Sequence, residues 1–232
     1  MQEDYWKKLE SCLSSDRLSA YGHDQASHRV ITARYLWNIA LSESLYAPLH
    51  LLEVGLRNAI HRVMFTETGS TTWYDEIPLT SWGQTQVGKA KAEIARSGRQ
   101  TTPGRVIAEL HFGFWTAMFE SNFEKPAARF LPRGIKATFP GMPKSRHKRR
   151  EIKADLDRIR RLRNRVFHHE RIIHLRDLPE QHALMVDFLG WINPDLVELV
   201  GLVDDFPSIH AAGIQPYLDK LDGHHRRPEN SP

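Results

Sequence analysis

Cysteine is almost missing from this 232-residue chain, with Cys12 standing alone. A single thiol forms no internal disulfide, and a reducing compartment is the expected setting. Long apolar runs are missing too. Nowhere do about 18 apolar residues follow one another, and the opening Met-Gln-Glu-Asp-Tyr-Trp-Lys-Lys lacks the apolar segment of a secretory leader. A soluble, cytoplasmic protein with no membrane partner is therefore expected. Period-two alternation is also scarce, which argues against a sheet. A chain of this length buries one substantial core without staples. The expectation is a single domain over 1–221 with an insertion at about 66–102, followed by a disordered polar tail over 222–232.

What is present is helical periodicity. Apolar residues recur at 3.6-residue spacing over about 24–42, and again from Pro48, a favoured first-turn residue, to about Met64. Gly69, Pro78, Gly83 and Gly98 punctuate 66–102 and leave room for one short helix near 84–96. Thr102-Pro103 caps a helix carrying Val106, Ile107, Leu110 and the aromatics Phe112, Phe114, Trp115 and Phe119, which read as core. Pro132, Gly134, Pro140, Gly141 and Pro143 form a linker. A long basic helix follows over about 145–169, with further helices near 178–191, 194–204 and 207–220. The class is all-α, a helical bundle with loop and short-helix insertions.

Charge is unevenly placed. The formal net charge is +4, yet residues 144–165 hold eleven Lys or Arg against Glu151, Asp155 and Asp157, a local +8 that leaves the other 210 residues at −4. An acidic body with one basic ridge is the footprint of a polyanion-binding surface, so RNA becomes the candidate partner. Lys148, Arg149, Arg150, Arg158, Arg161 and Arg165 are its candidate phosphate contacts.

The ridge ends in Leu-Arg-Asn-Arg-Val-Phe-His-His-Glu over 162–170. At about 100° per residue, Ile152, Leu156, Ile159 and Val166 share one side of this helix, with Arg163 in the middle of the stripe. In the helix after Pro48, Glu53 falls on the stripe of Leu49, Leu52, Leu56, Ile60 and Val63. Unpaired buried charge is costly, so Glu53 is expected to support Arg163 through an ion pair. Arg161, Asn164 and His168 share another face. Arg163 and His168 lie about 140° apart on a regular helix, so joint use of both predicts a local distortion or shared use across a dimer.

Those groups suit metal-free cleavage of RNA. The reaction needs a base for the 2′-hydroxyl proton, a cation for the phosphorane charge and an acid for the leaving 5′-oxygen. Histidine titrates near neutrality, and arginine offers phosphate a bidentate fork. The candidate catalytic residues are Arg163, Asn164 and His168, with His169 as the alternative histidine. One such set supplies one proton shuttle, so a homodimer is expected. A metal set from His168, His169, Glu170 and His174 matches no zinc spacing, and no metal or cofactor is expected.

Arg163-Asn164-Arg165-Val166-Phe167-His168 matches the R-N-x-x-x-H form of the motif of the HEPN (higher eukaryotes and prokaryotes nucleotide-binding) superfamily. Trp37-Asn38 with Leu41-Ser42, the stretch Leu52 to Ile60, and Leu110-His111-Phe112-Gly113-Phe114-Trp115 add to the likeness. Over about 15–200 the chain resembles the Abi-like (abortive infection) branch. The resemblance implies a HEPN helical bundle and a dimeric, metal-independent endoribonuclease of phage defence or toxin type. It implies Arg163 and His168 as the catalytic pair, with Asn164 supporting, and an antitoxin protein or RNA as a further candidate partner. A non-catalytic RNA-binding or regulatory module is the alternative.

Overall fold

A computed structural model describes residues 3–128 and 130–225 of the chain. It is all-α, with no strand among the described residues. In chain order the helices are α1 (Glu3–Leu13), α2 (Ser15–Ser19), α3 (His28–Ser44), α4 (Tyr46–Thr68), α5 (Ser81–Arg96), α6 (Pro103–Glu109) and α7 (Phe112–Ala117). They continue with α8 (Arg133–Thr138), α9 (Arg149–Phe167), α10 (Leu178–Ile192), α11 (Pro194–Gly201), α12 (Phe206–Ala212) and α13 (Gln215–His225). No helix among the described residues is long and apolar enough to cross a membrane.

Contacts divide the chain into two compact units, each built from separated segments. The first comprises the described parts of Met1–Tyr46, Asn164–His182 and Asp204–Pro232, and the second comprises Ala47–Arg163 and Ala183–Val203. In the first unit, Trp6 of α1 stacks on His28 at 4.0 Å. Trp6, Leu18, Tyr21 and Ile31 form a buried cluster against which Leu13, Tyr35 and Ile173 pack. Ser14 accepts a hydrogen bond from the Arg17 amide at 3.3 Å and so caps α2. No element is expected in the first twenty residues, yet α1 is amphipathic over three turns, and it and the five-residue α2 bury Trp6 and Leu18.

The C-terminal helices join the same unit by directed polar bonds. Trp37 Nε1 donates to the Ile209 carbonyl at 3.0 Å. Arg29 grips both carboxylate oxygens of Asp222, Nε at 2.7 Å and Nη2 at 2.6 Å. Asp222 to His225, expected in the tail, are therefore the last turn of α13, and the remainder of that tail lies outside the described residues. His182 is buried against Asp204, Nε2 to Oδ2 at 2.8 Å, and its ring stacks on Phe206 at 4.4 Å. The other oxygen of Asp204 accepts from the Phe206 amide at the start of α12.

The second unit carries the larger apolar core. Leu52, Leu56 and Ile60 of α4 are fully buried, as are Leu156 and Ile159 of α9. The aromatics Phe112, Phe114, Trp115 and Phe119 are core, as their clustering predicts. The helix expected to run from Thr102 through them is broken into α6 and α7. Leu110 adopts extended backbone there, its carbonyl accepts from Trp115 Nε1 at 3.1 Å, and Glu53 Oε1 accepts from the Phe112 amide at 3.1 Å. Side chains thus satisfy the groups the break exposes. The expected linker after Pro132 contains α8, whose Gly134 sits where a Cβ would come within 2.5 Å of the Phe130 ring. The short helix expected near 84–96 starts at Ser81, because Thr80 caps it by accepting from the Gly83 amide at 3.1 Å.

Candidate functional site

The stripes of the second unit produce the ion pair that their charges require. Arg163 Nε stands 3.4 Å from Glu53 Oε2, with each side chain about a quarter exposed. Glu53 therefore receives Arg163 on one oxygen and the first amide of α7 on the other. A carboxylate at a helix N-terminus is also favoured by the helix dipole. The pair gives Arg163 a structural task in addition to any chemical one.

Many cations of the basic ridge are paired, mostly with Glu151, Asp155 and Asp157 of the same run, and Glu124 from outside it offsets one charge more. Arg146 pairs with Asp155 at 2.8 Å, Lys148 with Glu151 at 2.9 Å and Arg149 with Glu124 at 2.6 Å. Lys153 pairs with Asp157, which also stands 3.4 Å from Arg160 Nε. Arg149 further donates to the Phe119 carbonyl at 3.0 Å and is 16% exposed, so it is spent on holding this unit together. Arg150 and Arg161 are exposed and have no carboxylate within 4.0 Å among the described residues. Of the expected phosphate contacts, these two are the most available, whereas Lys148 and Arg149 already have acidic partners.

In the first unit, α9 ends in a defined cap. His168 N–H still donates to the Asn164 carbonyl at 2.9 Å, so helical bonding persists through His168. His169 then adopts φ +57°, its amide donates to the Val166 carbonyl at 3.1 Å, and the Glu170 amide donates to the Arg165 carbonyl at 2.8 Å. These are the two crossed bonds of a Schellman motif, with His169 where glycine is usual. The distortion expected between Arg163 and His168 is absent, since α9 runs to Phe167, His168 keeps its helical bond, and only His169 enters the left-handed region. His168 sits exposed at the end of the helix and His169 holds the strained turn position.

Four side chains fasten the turn and the segment after it. Arg17 Nη2 donates to the His169 carbonyl and Arg171 to the Ala20 carbonyl. Asn38, 4% exposed, accepts from the Ile172 amide at 2.7 Å and the Ile173 amide at 3.4 Å and donates to the Glu170 carbonyl at 3.3 Å. Arg165 pairs with Glu170 at 3.6 Å across the cap. Charge and periodicity do not flag Arg17, which owes its place to α2. Asn38 carries a detectable signal, being an amide among the buried positions of α3, where an amide needs backbone partners.

Two histidines outside the motif are shifted. Burial lowers the pKa of His174, and Arg171 and Arg165 lower it further. Burial alone lowers that of His61, whose Nδ1 accepts from Trp73 Nε1 at 3.0 Å. Arg57 and His61, neighbours one turn apart on α4, thus flank the core helix, with Arg57 Nη1 donating to the Ala108 carbonyl at 3.2 Å. Among the described residues, no three His, Cys, Asp or Glu side chains converge as a metal set. Comparisons with family models, curated proteins and solved structures find no match to this chain.

Proposed function

We propose that this chain is a metal-independent endoribonuclease of the HEPN, Abi-like kind, active in phage defence or as a toxin. In this reading His168 takes the 2′-hydroxyl proton, O2′ attacks phosphorus, and the 5′-oxygen leaves with a proton from a second histidine. The products are a 2′,3′-cyclic phosphate and a 5′-hydroxyl. Arg163 stabilises the phosphorane charge, Asn164 supports, and a two-fold dimer supplies the second histidine from the other copy. RNA is the substrate, and an antitoxin protein or RNA is the natural restraint on such an activity.

The observation that carries this reading is the state of His168. It is exposed at the end of α9, on a turn held by crossed backbone bonds, by Arg17 and by the buried Asn38. A solvent-facing imidazole on a rigid support is what proton transfer to and from a substrate requires. A second reading, a non-catalytic RNA-binding module, is favoured by the Arg163–Glu53 pair, which gives the motif arginine an architectural reason to be present.

The test is incubation of mixed RNAs with purified protein in excess EDTA, wild type against His168→Ala. Cleavage by wild type alone, ending in cyclic phosphate, supports the enzyme. RNA binding by both proteins with cutting by neither leaves the binding module standing, and cutting abolished by EDTA overturns the metal-independent step.

A further inference from the structure

Beside the His168–His169 turn, the first unit contains two concavities that the proposed chemistry does not use. One is a groove of about 840 Å³ whose lining includes Tyr35, Ile39, Glu43, Tyr46 and Phe167. The other, of about 340 Å³, is lined by Arg165, Arg171 and His174 among others. Arg17 and His169 belong to both linings, so the two are neighbours.

Their chemistries are complementary. The Tyr46 and Phe167 rings have centroids 6.0 Å apart, and Tyr46, Phe167 and Ile39 are 54%, 39% and 48% exposed. Exposed aromatic and aliphatic surface in a concave site marks a place for a flat apolar group. The smaller concavity gathers cations instead. Arg17 and Arg171 bond to backbone carbonyls and have no carboxylate within 4.0 Å among the described residues, while Arg165 has only Glu170. Burial is the larger cause of the lowered His174 pKa, and Arg171 and Arg165 beside it lower it further, a repulsion that an anion would relieve.

The order of groups along the groove gives it a polarity. The Arg17 guanidinium lies 5.8 Å from the centre of the Tyr35 ring. Glu43 lies eight residues further along α3, about 12 Å at the helical rise of 1.5 Å per residue. A phosphate is drawn to the Arg17 end and repelled from the Glu43 end, leaving the aromatic half for a base.

We propose that these two concavities bind one nucleotide of an RNA chain, its base against Tyr46 and Phe167 and its phosphate between Arg17, Arg171 and His174. This deepens the ribonuclease reading and rests on it for the source of the nucleotide. The groove would hold a residue flanking the cleaved bond and so decide where along an RNA the turn at His168 is presented.

The test is calorimetric titration of the full chain with AMP, adenosine and inorganic phosphate. AMP should bind about tenfold tighter than adenosine or phosphate, since it engages both halves. Phe167→Ala should weaken AMP and adenosine by about tenfold, the scale of one stacked base, and leave phosphate unchanged. Arg171→Ala should weaken AMP and phosphate and leave adenosine unchanged. Tyr46→Ala, with its circular dichroism matched to wild type, provides a second aromatic variant should Phe167→Ala fold poorly. AMP binding no tighter than phosphate, or indifferent to the aromatic variants, overturns the inference. So does an aromatic variant that changes sedimentation while AMP binding stays intact, since the groove would then be a protein interface. His168→Ala should still bind AMP. A chain that binds AMP in this way but never cuts RNA refutes the nuclease alone, and one that cuts RNA but ignores AMP refutes this subsite alone.

Discussion

Asn38→Ala should destabilise the protein and loosen the segment after the motif without touching any reactive group. Asn38 makes three bonds to the backbone of Glu170, Ile172 and Ile173, the shortest at 2.7 Å to an amide whose residue is fully buried. Each net bond is worth about 0.5–1.5 kcal/mol, and a buried amide left without a partner costs about 1–3 kcal/mol. The two longer bonds, at 3.4 and 3.3 Å, fall at the weak end. The expected loss is about 2–4 kcal/mol, a large part of the roughly 5–15 kcal/mol of a typical domain. Urea unfolding followed by circular dichroism reads it as a lower midpoint at constant slope, and hydrogen exchange reads it as faster exchange at the Ile172 amide. Asn38→Asp retains the acceptor for Ile172 but loses the donor to Glu170 and buries a carboxylate, so it too should be less stable than wild type. A loss below about 0.5 kcal/mol for Asn38→Ala, or an Ile172 amide still protected, would refute the clamp.

Glu53→Ala should cost about 1–3 kcal/mol, because it strips both Arg163 and the first amide of α7, and a double-mutant cycle with Arg163→Ala should show coupling between the two positions. Replacing His169 by glycine relieves φ +57° and should raise stability by up to about 1 kcal/mol while leaving cleavage in place, whereas His168→Ala should abolish cleavage and shift stability by less than about 0.5 kcal/mol. If His169→Gly is inactive and His168→Ala is active, the working histidine has been misassigned. The lowered pKa of His61 and of His174 makes a signed pH prediction. Both are held neutral in the folded chain and take up protons more readily when unfolded, so their contribution is complete above about pH 6.5 and is lost as pH falls toward the folded values. His61→Leu should flatten that acid limb in a stability-against-pH profile, and also cost about 1–3 kcal/mol by orphaning the buried Trp73 indole N–H.

Much of the architecture was legible in periodicity alone. The long helices α3, α4, α5, α9 and α10 fall close to their expected places because each spans several turns, and in α9 the apolar residues keep to one side. The short ones escaped. α2 and α8 have too few turns for a stripe to stand out, and the break between α6 and α7 depends on Trp115 and Glu53 reaching across to backbone groups. The Glu53–Arg163 pair was readable because two opposite charges sat on two core-facing stripes 110 residues apart. The quenching of the ridge was not, since Glu124, Glu53 and Glu170 come from outside residues 144–165.

The sequence by itself determined the helical class, the absence of long apolar spans, the local excess of basic charge and the motif with its Arg163, Asn164 and His168. Composition, period and spacing are local properties, and a linear string records them in full. Only the tertiary structure decided which cations remain available and which of the two exposed histidines holds a left-handed turn. It also brought Arg17 and Asn38 to residues more than 130 positions away. Those outcomes depend on where each chain segment returns to pack, and buried polar groups accept only the few arrangements that satisfy their hydrogen bonds.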